Sequence, residues 1–481
     1  MTSIDVKKKT ISNLMWRFAE RCGAQGVSFI VSIILARLLA PDIYGTVALI
    51  TVITTILQVF VDSGMGNALI QKKNADDLDY STVFYFNFVV CIILYAGMFF
   101  AAPSIATFYE MPELTPLVRV ISLTLVISGI KNIQQAYVSK HLLFKKFFYA
   151  TIGGTVLSAI LGITMAYLGF GCWALVVQQL SNAMIDTSIL WITMEWRPKW
   201  MFSFERLKGL LSYGWKLLVS SLLDTVYNNM RQLIIGKFYT SSELAFYNKG
   251  KQFPSLIVMN INSSIDSVLL PIMSQEQDNS TRIKSMTRKA IRTSSYIMWP
   301  LMIGLAIVAE PLISLILTDK WLPCVPYLRI FCFTYALWPI HTANLNAIKA
   351  MGRSDMFLKL EIIKKVLGVI SIVATLPFGV FAIALGYMVT GPLSAAVNAF
   401  PNRRLLNYSF KEQCTDLLPF FLMSGIMGVI IWPVQYLALH KIIIIALQVL
   451  VGGFVYIVES KILHVDVFEE CLEVIKKKNK R

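Results

Sequence analysis

About fourteen stretches of this chain are long and apolar enough to cross a bilayer, which leaves it little choice of fold. Phe86–Ala102 and Ile442–Val458 carry no charged side chain at all. Inside hydrocarbon the backbone must satisfy its own polar groups, so each crossing is expected to be a helix. Alternating segments of about ten residues, the signature of a membrane barrel, are absent. Only 15% of residues are charged, against about 25% in soluble domains. The expected spans are 11–39, 44–66, 82–106, 116–137, 148–168, 172–194, 207–238, 252–273, 293–318, 326–348, 358–376, 379–399, 416–437 and 441–462.

The second half echoes the first. Pro116-Leu117-Val118-Arg119 returns as Pro326-Tyr327-Leu328-Arg329, and Leu168-Gly169-Phe170-Gly171 returns as Leu376-Pro377-Phe378-Gly379. Ala36-Arg37-Leu38-Leu39 precedes a turn as Gly236-Lys237-Phe238-Tyr239 does. The expected organisation is a six-helix lobe over 1–200, a second over 201–410, and two further helices with a basic tail over 411–481. Duplicated helical membrane proteins of this kind read as transporters, with a substrate path between the repeats.

The net charge of +16 would ordinarily raise nucleic acid as a partner. Its distribution argues otherwise. Basic residues crowd every second loop: Lys7–Lys9, Lys72 and Lys73, Lys140 with Lys145 and Lys146, Arg197 through Lys208, Arg282 through Lys289, and the tail Lys476–Arg481. The intervening loops hold few cations and several acids, such as Asp42, Glu110 and Glu113. This is the positive-inside pattern, and it places both termini in the cytoplasm of a multi-pass inner-membrane protein. Lys7–Lys9 precede a long helix, so no cleaved leader is expected.

Polar residues inside spans are the candidate functional groups, because charge is costly there. Span one carries Arg17, Arg21, Gln25, Ser28 and Ser32 on one helical face, with Glu20 beside it. Span seven carries Lys216, Ser220, Asp224, Asn228 and Arg231 at similar steps. Span two carries Thr51, Thr55, Gln58 and Asp62; span eight carries Asn260, Asn262, Ser263, Ser264 and Asp266. The simplest packing turns these faces toward a hydrated cavity. Single hydroxyls and amides also serve helix packing. Arg17, Arg21 and Arg231 lie near span ends, where snorkelling competes with a cavity role. Arg119 and Arg329 occupy matched positions at the outer rim, and both a capping and a substrate-facing role stay open.

Other constellations lead nowhere. Asp76, Asp77 and Asp79 read as a solvated inner loop rather than a metal site. Four histidines lack ligand spacing. No phosphate-binding glycine loop or nucleophile elbow appears, so neither cofactor nor metal is expected. The seven cysteines are scattered; Cys172 and Cys324 near outer loops would be the one pair to bridge.

Two turns carry a family resemblance. Leu35-Ala36-Arg37-Leu38-Leu39-Ala40-Pro41-Asp42-Ile43-Tyr44-Gly45 resembles the "LARLLxPxxYG" turn of bacterial polysaccharide flippases. Val61-Asp62-Ser63-Gly64-Met65-Gly66-Asn67-Ala68-Leu69-Ile70-Gln71 resembles their "DxGxGxALIQ", and Lys320-Trp321 and Phe246-Tyr247 also match. The chain is thus similar, along nearly its whole length, to the Wzx-type O-antigen and exopolysaccharide flippases, in the polysaccharide transporter branch of the multidrug/oligosaccharidyl-lipid/polysaccharide (MOP) superfamily. The resemblance implies a V-shaped, MATE-like pair of lobes, a cationic central cavity and alternating access. It implies an undecaprenyl-diphosphate-linked oligosaccharide as substrate for O-antigen, capsule or exopolysaccharide synthesis. Glycosyltransferases and a polymerase would be partners, and H+ or Na+ the coupling ion. The family's basic cavity residues fall on Arg17, Arg21, Lys216 and Arg231, and its span-two acid on Asp62. From the polar stripes themselves, Gln25 and Asn228 are expected beside the headgroup, and Asp62, Asp224 or Asp266 to couple to the ion. The competing readings are a multidrug cation exporter, whose cavity would be acidic and aromatic, and a membrane enzyme such as a polymerase, which would carry a large outer loop.

Overall fold

The computed structural model describes residues 3–62, 65–470 and 473, with side chains from residue 15 onward except 213. Ser63, Gly64, Cys471, the tail from Lys476 and the side chains of Lys7–Lys9 lie outside the described residues. Every regular element among the described residues is helical. The chain runs through α1 (Ser3–Leu38), α2 (Pro41–Asp62), α3 (Met65–Gln71), α4 (Asp77–Tyr109), α5 (Leu114–Ile121), α6 (Leu123–Lys140), α7 (Phe144–Tyr167), α8 (Cys172–Thr193) and α9 (Phe204–Phe238). It continues through α10 (Ser241–Gln275), α11 (Ser280–Leu317), α12 (Val325–Ala336), α13 (Trp338–Ala350), α14 (Ser354–Thr375), α15 (Val380–Leu405), α16 (Phe410–Ile431) and α17 (Lys441–Ile462).

Among the described residues, ten helical segments are long and apolar enough to cross a membrane. The expected spans 172–194, 207–238, 326–348 and 358–376 coincide with helices that fall short of that measure, for visible reasons. Helix α8 holds Gln178, Gln179, Asn182 and Asp186, α9 holds Lys216, Asp224 and Arg231, and α14 holds Glu361, Lys364 and Lys365. The region 326–348 is divided into α12 and α13, where Pro339 supplies no amide to continue the ladder. Its repeat partner 116–137 is likewise divided, into α5 and α6. Large apolar side chains such as Phe100, Ile192, Val429 and Phe454 point outward, as lipid-facing surface requires.

The polar stretch 275–292 is mostly helix. Asn279 caps α11 by accepting the Arg282 amide at 3.0 Å, so the helix starts at Ser280 and runs straight into the apolar span.

Contacts divide the chain into two compact units, Met1–Ala245 and Phe246–Arg481. Helix α9 therefore packs with the first unit, although the repeat pattern counts it with the second. The reason is local. Leu207 and Leu210 of α9 join a buried cluster with Met65, Leu69, Tyr80, Val83, Phe84, Ile133 and Trp196. Further along α9, a Cβ on Gly236 would sit 2.7 Å from Leu49 of α2. Beyond α9, the first turn of α10 touches α2, where a Cβ on Gly45 would lie 1.7 Å from the Ser241 carbonyl oxygen.

The second unit has its own core around Met273, Ile283, Ile291, Ile340, Ala347, Tyr408 and Leu417. A buried amide network ties it together. Asn344 donates to Gln413 at 2.7 Å, Gln413 returns a bond at 3.0 Å, and Asn402 donates to Asn344 at 2.6 Å. Tyr408 and Arg288 both donate to Asp416, at 2.8 and 2.6 Å. Helix α16 is thereby held to α11, α13 and α15.

The structure corrects the reading of the 76–79 acids. Asp79 is 0% exposed and is not a solvated loop residue. It accepts from Lys72 at 2.6 Å and Arg206 at 3.3 Å, while Asp77 accepts from Lys199 at 2.5 Å and from the Trp196 indole at 3.1 Å. The Asp79 amide, first among several causes, holds the Asp76 carboxyl below its usual range. Cys172 and Cys324 are both free thiols, and Cys324 is buried.

Candidate functional site

Part of the polar faces expected on spans one and two, Ser28, Ser32, Thr51 and Thr55, lines a cavity of about 370 Å³ inside the first unit, whereas none of the polar residues expected on span seven does. Helix α1 contributes Ser28 and Ser32, α2 contributes Tyr44, Thr51 and Thr55, α8 contributes Gln178 and Gln179, and α9 contributes Asn229 and Gln232. Apolar walls come from Leu35, Val47, Ala48, Val52 and Leu175. Close packing sets these groups in place. Gly162 of α7 admits the Gln178 stem, since a Cβ there would stand 2.7 Å from it. Tyr44 donates to the Ser32 carbonyl at 3.3 Å, Thr51 lies 3.4 Å from Gln179, and Gln232 donates to Asn229 at 3.1 Å.

None of these lining residues is charged. Hydroxyls and amides offer donors and acceptors together, which suits a neutral, hydroxyl-rich guest rather than an organic cation. Gln178 and Gln179 were not singled out from the sequence; two adjacent amides within an apolar helix were the available signal. On α9 the wall is formed by Asn229 and Gln232, one residue past Asn228, because successive residues turn about 100° around a helix.

The cations hold separate positions. Arg21 and Gln25 are exposed on α1, about two turns and one turn from Ser28. Arg17 pairs with Glu20 at 2.7 Å and lies over the rings of Phe144 and Phe147, at 5.7 and 5.3 Å. Lys216, Asp224 and Asn228 are exposed on α9, whereas Arg231 is buried, at 7% exposure. Asp62 lies 3.4 Å from the Gln58 amide and 3.3 Å from that of Asn132. In the second unit, Asp266 accepts from Asn346 at 2.5 Å.

Arg119 and Arg329 have well-defined partners. Pro103 removes the amide that would have bonded the Phe99 carbonyl, and Arg119 Nε donates to that carbonyl at 3.2 Å with its guanidinium 4.2 Å from the Phe99 ring. Arg329 Nε donates to Ala306, in the turn before Pro311, at 3.1 Å and lies over Trp432. In hydrocarbon an unpaired carbonyl is expensive. Arg119→Ala is therefore expected to cost about 1–2 kcal/mol. Thermal unfolding in detergent measures it, and transport per folded molecule should stay at the parent level.

A second polar cluster was missed in the sequence. Lys131 of α6 forms an ion pair with Asp186 of α8, and both side chains are largely buried. Each is the lone charge within its expected span, 116–137 apart from Arg119 at its edge and 172–194; opposite signs in two spans were the available signal.

Among the described residues no group of three or more His, Cys, Asp or Glu side chains gathers as a metal site.

Comparison with known proteins places this geometry in context. Residues 34–326 match the family described as "Polysaccharide biosynthesis protein". The chain is 25% identical to the teichuronic acid biosynthesis protein TuaB of Bacillus subtilis (strain 168), over 84% of this chain and 85% of TuaB. It is 22% identical to the succinoglycan biosynthesis transport protein ExoT of Rhizobium meliloti (strain 1021), over 75% and 73% of the two chains. In structure it resembles the lipid II flippase MurJ in its inward closed conformation, with a TM-score of 0.76 at 16% identity, covering 94% of this chain and 99% of MurJ. That likeness is one of fold.

Proposed function

Because the chain belongs to the polysaccharide biosynthesis protein family, we propose that it is a flippase, carrying undecaprenyl-diphosphate-linked oligosaccharide units across the cytoplasmic membrane by alternating access. The observation that carries the reading is the uncharged polar cavity between α1, α2, α8 and α9, with Gln25 and Arg21 exposed on the same helix α1. Sugar hydroxyls need replacement hydrogen bonds when they leave water. Hydroxyl and amide side chains supply these without the desolvation cost of a charge. A diphosphate needs cations instead, and Arg forks match its oxygens. Arg21 and Lys216 take the diphosphate in this proposal, with Arg17 and Arg231 in support, while the polyprenyl tail stays in lipid. Among its relatives, TuaB is a teichuronic acid biosynthesis protein and ExoT a succinoglycan biosynthesis transport protein, and the structural neighbour MurJ is a lipid II flippase.

The same proposal includes fourteen crossings, the repeat lobes 1–200 and 201–410 with the added segment 411–481, cytoplasmic termini, coupling to H+ or Na+, and glycosyltransferases and a polymerase as partners. A neutral cavity speaks against the multidrug cation exporter, which would need carboxylates to replace water around its substrate.

The test is export in a strain lacking its own copy. Arg21→Gln with Lys216→Gln should reduce polymer export by about a hundredfold at normal protein level, equivalent to losing two charge-assisted contacts. Export at the parent rate would remove these residues from the headgroup site. Gln179→Leu with Thr51→Val should weaken export with the diphosphate contacts intact.

A further inference from the structure

We propose that the groove around Arg119 is a headgroup site for one anionic phospholipid, in the leaflet that meets the turn between α4 and α5. The proposal needs only that the chain lies in a bilayer, so it is independent of the flippase reading.

A cavity of about 330 Å³ opens on the surface of the first unit. Tyr95 and Phe99 of α4, Val120 of α5 and Leu123 of α6 wall it, and Thr115 and Arg119 of α5 supply further polar groups. Ile93 and Phe100, two turns apart on α4, are 64% and 78% exposed, so lipid covers this side of the helix. Arg119 lies in the second turn of α5, near the end of its span, where lipid phosphates border the hydrocarbon.

The guanidinium is fixed before any ligand arrives. Its Nε donates to the Phe99 carbonyl at 3.2 Å, and its carbon lies 4.2 Å from the centre of the Phe99 ring. That leaves the two terminal nitrogens as a fork. Among the described residues no acceptor takes them and no carboxylate pairs with them. The Thr115 and Tyr95 hydroxyls likewise have no hydrogen-bond partner among the described residues. A held cation with a two-pronged donor face matches phosphate oxygens. Apolar walls beside it suit the first methylenes of acyl chains, and basic pockets between membrane helices are where anionic headgroups bind. Little side-chain freedom is left for the arginine to lose on binding.

The repeat supplies a contrast. Arg329 occupies the matching position, and its Nε donates to the Ala306 carbonyl at 3.1 Å. Its Nη2, however, stands 3.8 Å from the Glu310 carboxylate. Glu310 immediately precedes Pro311, whereas the residue before Pro103 is Ala102. Bonding a carbonyl freed near a proline thus needs only the arginine. The second unit balances that charge within the chain; the first leaves it facing lipid, where a lone cation is costly until an anion meets it.

The experiment is native mass spectrometry of the purified full-length protein in detergent, titrated with phosphatidylglycerol or phosphatidylcholine. The parent should hold one phosphatidylglycerol about tenfold or more tighter than phosphatidylcholine, the effect of a charge-assisted contact. Arg119→Gln should abolish that preference, and Arg329→Gln should keep it. Leu123→Trp fills the groove and leaves the bond from Arg119 to Phe99 in place. It should lose the bound phosphatidylglycerol at parent melting temperature, which separates the site from a folding defect in Arg119→Gln. Equal affinity for the two lipids overturns the proposal, as does a preference undiminished in Arg119→Gln or in Leu123→Trp. Tighter binding of undecaprenyl phosphate than of phosphatidylglycerol would make the carrier lipid the occupant and overturn the phospholipid assignment.

Discussion

Gly45→Ala is expected to cost more than about 3 kcal/mol and to abolish export, because overpacking against rigid backbone cannot be relieved by a rotamer change. The added Cβ would stand 1.7 Å from the Ser241 carbonyl oxygen and 2.4 Å from its carbon. Backbone on both sides must move, and the neighbouring contacts would move with it. Thr46 meets the Ser241 hydroxyl at 3.5 Å, and Lys237 reaches the Phe108 carbonyl at 2.5 Å and Glu110 at 2.9 Å. That bond with Lys237 also holds the Glu110 carboxyl below its usual range. Thermal unfolding of the purified variant, read with its yield, measures the effect. Parent-like melting would mean that α2 and α10 do not approach this closely. Gly26→Ala is the control, since nothing lies within 4 Å of a Cβ there, and it should be nearly silent.

Asp79→Ala is expected to cost roughly 3 kcal/mol, the usual size for removing one partner from a buried ion pair. Asp79 is wholly buried and its carboxylate serves three groups. It accepts from Lys72, Arg206 and the Asp76 amide, and its own amide closes a capping box with Asp76. Around it the connector from α8 to α9 is pinned to α4: Ser81 accepts the Lys199 amide at 3.0 Å, and Thr82 the Ser203 amide at 3.1 Å. Losing Asp79 leaves two cations facing each other and loosens the start of α9. Asp77→Ala, at a half-exposed site, should cost less than about 1 kcal/mol. Comparable melting of the two variants would contradict this difference.

The sequence announced some of this and concealed the rest, for physical reasons. Long uncharged runs declare membrane helices, because no other structure satisfies a backbone in hydrocarbon. The Ser28–Ser32 and Thr51–Thr55 faces were legible because helical spacing puts them on one side, and the structure brings them to one cavity. The α9 face was misjudged by a single residue, since Asn228 and Asn229 are chemically identical and only packing decides which turns inward. Asp79 looked like its neighbours Asp76 and Asp77; burial distinguishes it, and burial depends on α3, α4 and α9 meeting. Lys131 and Asp186 stand 55 residues apart, and nothing local announces that they pair. The two rim arginines were visible as a repeat, but their bonds to carbonyls beside prolines required the helices in place.

The amino-acid sequence by itself determined that this chain is a helical membrane protein with a duplicated pattern and the motifs of a polysaccharide flippase family, because hydropathy and periodicity are properties of the chain read in order. Only the tertiary structure decided which polar groups share a space, which acids are buried, and which lysine meets which aspartate. Those choices rest on contacts between helices distant in sequence, where one missing side chain, as at Gly45, Gly154 or Gly162, sets how closely two helices approach.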